Sequence, residues 1–152
     1  MTPSANALMA LALEEARGAA ARGEVPVGAA VVEAATGRVL ARAGNRTEVD
    51  ADPTAHAEIL AIRAACAALG SPRLKGCDLY VTLEPCAMCV GAISHARIRR
   101  LYFAAYDPKG GGVEHGGRFF ERDTCHHRPE VIGGICEGEA GELLLGFFRD
   151  LR

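Results

Sequence analysis

Apolar positions recur first at helical spacing. Leu8, Leu11, Ala12 and Ala19 mark residues 4–22 as an amphipathic helix, with Ser4 as N-cap and Gly23 as its stop. The period then shortens. Val25 to Val32 and Arg38 to Ala43 read as two strands, and Thr36-Gly37 supplies the turn of a hairpin. Asp52-Pro53-Thr54 resembles a helix start, and Ile59, Ile62 and Cys66 carry the helix to Leu69 before Gly70. Asp78 to Leu83 is a short apolar strand ending at Glu84-Pro85. A small-residue helix follows from Cys86 to about Ser94, then a strand from Arg100 to Ala105 and a glycine-rich loop over 107–118. Glu130 to Ile135 reads as a weaker strand and Glu139 to Leu151 as a closing amphipathic helix. Strands alternating with helices after an opening hairpin predict an α/β sandwich, a mixed sheet with helices on both faces. The chain of 152 residues, without internal repeat or linker, is expected to form one domain over 1–152.

Composition narrows the class. Apolar residues make up 49% and charged residues 24%, ordinary values for a soluble globular chain. No apolar run is long enough to span a bilayer, and the first residues lack a basic leader, so a cytoplasmic protein with no membrane partner is expected. In that compartment the six cysteines should be reduced unless a metal holds them. The net charge of −2 gives no overall pull toward nucleic acid, although fifteen arginines stand against two lysines.

Four side chains carry the candidate chemistry. Cys86 and Cys89 stand at i and i+3 beside the start of a helix, where the dipole favours thiolate. Alone, a CxxC is a weak signal that fits a redox pair equally well. His56 and Glu58, on the start of the preceding helix, raise it to a candidate zinc site. Catalytic zinc typically keeps three protein ligands and a position for water. Two thiolates and a neutral imidazole cancel the metal charge and acidify that water less, so a proton acceptor beside it matters, and Glu58 is the candidate. On an ideal helix Glu58 would lie roughly 200° from His56, which places His56 at the cap or first turn. The competing reading is a structural four-ligand site completed by Cys66, Cys77, Cys125 or His126, which leaves Glu58 without a task. Cys125-His126-His127 read as a second metal site would require awkward joint coordination by adjacent residues.

His56-Ala57-Glu58 followed by Pro85-Cys86-Ala87-Met88-Cys89 matches, at every required position, the established H-x-E and P-C-x-x-C signature of zinc nucleobase deaminases. The chain resembles more particularly the bacterial tRNA-specific adenosine deaminases of the cytidine/deoxycytidylate deaminase superfamily. The resemblance runs through Glu24 to Ala29, Asn45, Asp52 to Glu58, Leu79 to Cys89, Asp107 to Gly111, His127-Arg128 and Phe147-Phe148-Arg149. It implies a three-layer α/β/α sandwich around a five-stranded mixed sheet, a homodimer, and one Zn2+ per chain held by His56, Cys86 and Cys89. It implies hydrolytic conversion of the wobble adenosine of a tRNA anticodon to inosine, with Glu58 carrying protons to N1 and to the departing amino group. Asn45, Val25, Ala57, Leu83 and Glu84 would meet the base. Lys109, Asp107, His95 and Arg149 are candidate contacts to the anticodon stem-loop.

The chain departs from the family after Gly111. A Gly-Ser turn and short apolar helix are usual there, whereas this chain reads Gly112-Val113-Glu114-His115-Gly116-Gly117-Arg118-Phe119-Phe120. Many relatives also carry a basic tail where this chain reads Asp150-Leu151-Arg152. Two other functions fit the same residues: deamination of a free base or nucleoside such as guanine or cytosine, and a non-catalytic partner subunit of an active deaminase. An intact Glu58 argues against the second.

Overall fold

The computed structural model describes residues 2–151. In chain order the elements are α1 (Ala5–Ala21), β1 (Gly28–Glu33), β2 (Val39–Gly44), α2 (Ala57–Leu69) and β3 (Cys77–Leu83). There follow α3 (Ala87–His95), β4 (Arg100–Ala105), a 3-10 turn at Phe119–Glu121, β5 (Glu130–Gly133) and α4 (Glu137–Asp150). The strands form one mixed sheet in the order β2-β1-β3-β4-β5. β1 runs antiparallel to β2 and β3, while β3, β4 and β5 run parallel. The fold is the α/β sandwich that the chain pattern predicts.

Side chains alternate between two cores, as the strand pleat requires. Val31, Leu79, Val81, Leu101 and Phe103 face α2 and α3. Val32, Tyr80 and Ala104 face the other way, against Leu8, Met9, Ala12 and Leu13 of α1 and Ala140 of α4. Gly28 and Gly44 are cross-strand partners directly beneath α1. A Cβ on Gly28 would lie 2.0 Å from the Ala12 carbonyl oxygen, and one on Gly44 would lie 2.5 Å from that of Glu15. The paired glycines let the helix backbone rest on the sheet.

The predicted boundaries shift for identifiable reasons. The first strand begins at Gly28 rather than Val25, because Val27 N–H bonds the Val25 carbonyl across Pro26 at 2.8 Å and bends the chain. The second helix begins at Ala57, not Asp52. The Asp52 carboxylate accepts the Thr54 amide at 2.8 Å and the Thr54 hydroxyl at 2.7 Å, closing a local turn that competes with helix. The weak strand stops at Gly133, where Gly134 takes φ +87°, and α4 starts two residues early at Glu137 behind Cys136 in the left-handed region. The first helix keeps its Ser4 cap, with the hydroxyl oxygen accepting the Ala7 amide, and the second ends at a left-handed Gly70. Among the described residues, no helix is long and apolar enough to cross a membrane.

Candidate active site

Two helix starts meet at the carboxyl end of β3. His56 is the N-cap of α2, with extended backbone at φ −75° and ψ 149°, and Cys86 is the N-cap of α3 at φ −75° and ψ 175°. The extended cap breaks the helical phase, so His56 and Glu58 both serve one site despite their spacing. His56 Nδ1 lies 3.6 Å from Cys86 Sγ and 3.5 Å from Cys89 Sγ. Tetrahedral zinc with Zn–S of about 2.3 Å and Zn–N of about 2.0–2.1 Å requires N···S separations of about 3.6 Å. The donor set therefore fits the metal in both chemistry and distance. Among the described residues the cluster holds these three donors, and Cys66, Cys77, Cys125 and His126 lie outside it. That leaves a coordination position for a small ligand instead of a closed four-ligand knuckle. All six cysteines are free thiols.

The electrostatics divide the two sulfurs. A hydrogen bond from Cys89 is the largest influence on Cys86; with the Cys89 and Met88 amides and His56 it outweighs burial and brings the thiol down to about 5. Cys89, as the donor and fully buried, is pushed up. Without a cation one thiolate is therefore shared between them, and a dication would favour two. Glu58 is 4% exposed. Burial pushes its carboxyl up to about 7, against a backbone hydrogen bond, and the neighbouring Cys86 adds to the rise. A carboxyl near neutrality can both take and give a proton.

Val25, Asn45, His56, Glu58, Leu83, Glu84, Cys86 and Asp107 border one cavity of about 270 Å³, together with Val27, Thr47 and Gly110. The Asn45 amide is bound at both ends: Nδ2 donates to the Val25 carbonyl at 3.2 Å, and Oδ1 accepts the Ala57 N–H at 2.8 Å. Ala57 is buried at the helix start. Lys109 sits in an adjoining hollow with Tyr106, Leu144 and Phe148, which shares Val25, Leu83 and Asp107 with the cavity. His95 and Arg149 are exposed at the last turns of α3 and α4 and border neither space.

Two buried carboxylates hold loops in a way the sequence does not announce: Glu24, and Glu84, which was expected to meet the base. Glu24 is fully buried and accepts the Glu48 and Val49 amides, tying down the loop between β2 and α2. Glu84 borders the cavity, yet its carboxylate is directed to the loop after β4, where it accepts four backbone amides and the His115 ring. The visible signal was a Glu beside Pro85 facing a glycine run, but nothing local indicated its partners.

Residues 2–105 match the family described as "Cytidine and deoxycytidylate deaminase zinc-binding region". The chain is 62% identical over 144 residues to the tRNA-specific adenosine deaminase of Agrobacterium fabrum, covering 95% of this chain and 93% of the relative. It is 45% identical over 141 residues to the enzyme of the same name from Bacillus subtilis, covering 93% and 86%. A solved structure from studies of A-to-I editing by tRNA:A34 deaminases at the wobble position superposes with a TM-score of 0.88 at 62% identity, covering 91% of this chain and 99% of that one. Guanine deaminase from Nitrosomonas europaea superposes with a TM-score of 0.78 at 30% identity, covering 97% and 85%.

Proposed function

The chain belongs to the cytidine and deoxycytidylate deaminase family, and from that premise we propose that it hydrolyses adenosine to inosine at the wobble position of a tRNA anticodon. The observation that carries this reading is the His56, Cys86 and Cys89 donor set with Glu58 at one cavity, in a chain 62% identical to a tRNA-specific adenosine deaminase along most of its length. Deamination of a free base, the second reading, has support at 30% identity.

His56, Cys86 and Cys89 hold one zinc ion per chain. When bound, zinc polarises water so that it becomes a nucleophile near neutral pH. Glu58 takes a proton from the water as its oxygen bonds to C6, and passes it to N1 of the adenine. It then moves the second water proton to the amino nitrogen as the C6–N bond breaks, so water enters and ammonia leaves. Val25 and Leu83 form apolar walls for the base. Asn45 Nδ2 has two hydrogens and the Val25 carbonyl takes one, which leaves the other for a purine acceptor. The target atom reaches the metal only in a base swung out of its stack, which fits an anticodon loop. Lys109, beside exposed Tyr106 and Phe148, faces the flanking phosphates and bases. Residues 1–152 act as a single deaminase domain, as a homodimer and in the cytoplasm, in keeping with the family resemblance.

The deciding assay measures inosine and ammonia side by side on an adenosine-34 stem-loop and on free guanine, cytosine and adenine. The expected result is inosine in the stem-loop, with the reaction weakened by salt as phosphate contacts are screened. Ammonia from free bases without inosine in RNA would overturn the proposal in favour of the second reading.

A further inference from the structure

Glu84 occupies a junction. It follows the last residue of β3, precedes Pro85 and Cys86, and its side chain has no exposed surface. Its Oε2 accepts three successive amides, from Val113 at 3.2 Å, Glu114 at 3.0 Å and His115 at 3.2 Å. Its Oε1 accepts the Asp107 amide at 3.0 Å and the His115 Nδ1–H at 2.8 Å. Five donors thus converge on one carboxylate, from both ends of a nine-residue loop span, Asp107 to His115. The middle of the span is drawn in as well. Gly112 N–H bonds the Pro85 carbonyl at 2.8 Å, and Gly111 N–H bonds the Asp107 carbonyl at 2.8 Å. A Cβ on Gly111 would meet Glu84 Oε2 at 2.3 Å, so the backbone presses directly on the carboxylate.

This loop carries Asp107 and Gly110, which border the cavity, and Lys109 in the hollow beside it. We propose that Glu84 and His115 form a latch that positions the Asp107–Gly110 rim for a polynucleotide substrate, with His115 as the side chain that closes it. The inference rests on the tRNA reading above. Four of the five donors are backbone amides that any sequence supplies; the fifth is particular to His115. A ring N–H facing a buried carboxylate fixes the loop in one place, and its removal leaves one acceptor lone pair of a buried anion unpaired. His115 is outside the metal donor set and meets the cavity wall through Glu84, whose carboxylate is directed to the loop, so its effect is on the rim and on substrate binding, not on proton transfer.

The test compares the zinc-loaded full chain with His115→Ala and His115→Asn. Asn places an amide N–H where Nδ1 stood. His115→Ala should raise KM for the anticodon stem-loop by about tenfold, as expected for a lost charge-assisted hydrogen bond, and leave kcat within about twofold. Amide hydrogen exchange at Asp107 and at Val113 to His115 should accelerate by about tenfold, with exchange in β3 and α2 unchanged. His115→Asn should recover much of both effects. Unchanged exchange and unchanged KM in His115→Ala would overturn the latch, as would a loss confined to kcat. If the parent chain makes no inosine in RNA, the tRNA reading fails separately, and unaccelerated exchange in His115→Ala would still overturn the latch on its own.

Discussion

The Oδ1 of Asn45 accepts the backbone N–H of Ala57, the residue between His56 and Glu58, at 2.8 Å. A side chain just beyond β2 thereby caps the first turn of α2, a task that the N-cap residue His56 does not perform with its own ring. The same amide reaches Val25 on the cavity wall through Nδ2. Replacing Asn45 with Ala removes both bonds and should cost about 1–2 kcal/mol in denaturant unfolding. Asn45→Asp keeps the acceptor for Ala57 but loses the donor, and adds charge beside Glu58. It should retain more of the stability than Asn45→Ala while losing activity comparably, which chemical denaturation and steady-state kinetics on the same preparations will separate.

Glu58 makes no contribution to the three-atom donor set, so its roles as acid and base can be removed while the metal stays. Glu58→Gln keeps the shape of the side chain and cannot exchange a proton. Turnover should fall by about 10²–10⁴-fold, the range for a lost general acid–base group. Zinc content by atomic spectroscopy should remain at that of the parent. Retained turnover would move proton transfer to another residue.

Removing the metal should expose a difference between the two thiols. Cys86 is partly exposed and drawn down to about 5, while Cys89 is buried and pushed up. Buried Cys77 and partly buried Cys66 and Cys136 are also pushed up, by burial first of all. At about pH 7 chelated protein should therefore be alkylated first at Cys86, because the thiolate is the reacting form. Peptide mapping after brief iodoacetamide treatment reads the order. Added zinc should protect Cys86 and raise the melting temperature, since a ligand held by the folded state stabilises it. Alkylation of Cys66 ahead of Cys86 would contradict the assigned thiolate.

The chemistry was legible in the sequence where it depends on the kind of side chain. His56, Glu58, Cys86 and Cys89 are few, reactive and set at two helix starts, so type and spacing together announced them. The helix start at Asp52-Pro53-Thr54 misled because an N-cap and an Asp52–Thr54 turn share one composition; both satisfy a carboxylate with nearby backbone amides. Glu24 and Glu84 were not legible as organisers for a different reason. Their partners are mostly backbone amides 23 to 31 positions away, and a backbone amide leaves no mark in the choice of residue. Such loops are positioned by topology, which becomes visible once the strands are ordered.

Glu24 offers a pH test of that loop ordering. Its Oε1 accepts the Thr47 hydroxyl at 3.2 Å and the Glu48 amide at 3.1 Å, and its Oε2 accepts the Val49 amide at 2.8 Å. Burial by itself would raise the carboxyl, but these amides, the Thr47 hydroxyl and the charge of Arg22 outweigh it and hold the pKa below the ordinary 4.5. A carboxyl with a lowered folded pKa contributes stability that is fully present above its unfolded value and is lost as pH falls through the folded value. The stability gap between the parent chain and Glu24→Gln should therefore be widest at about pH 6–7 and narrow below about pH 4.5. Denaturant unfolding at several pH values measures it, and a gap that stays constant through the acid range would show that the charge at Glu24 does not hold the loop. Thr47 borders the cavity that holds His56, Glu58 and Cys86, so the same variant should weaken substrate binding at neutral pH even where the fold survives.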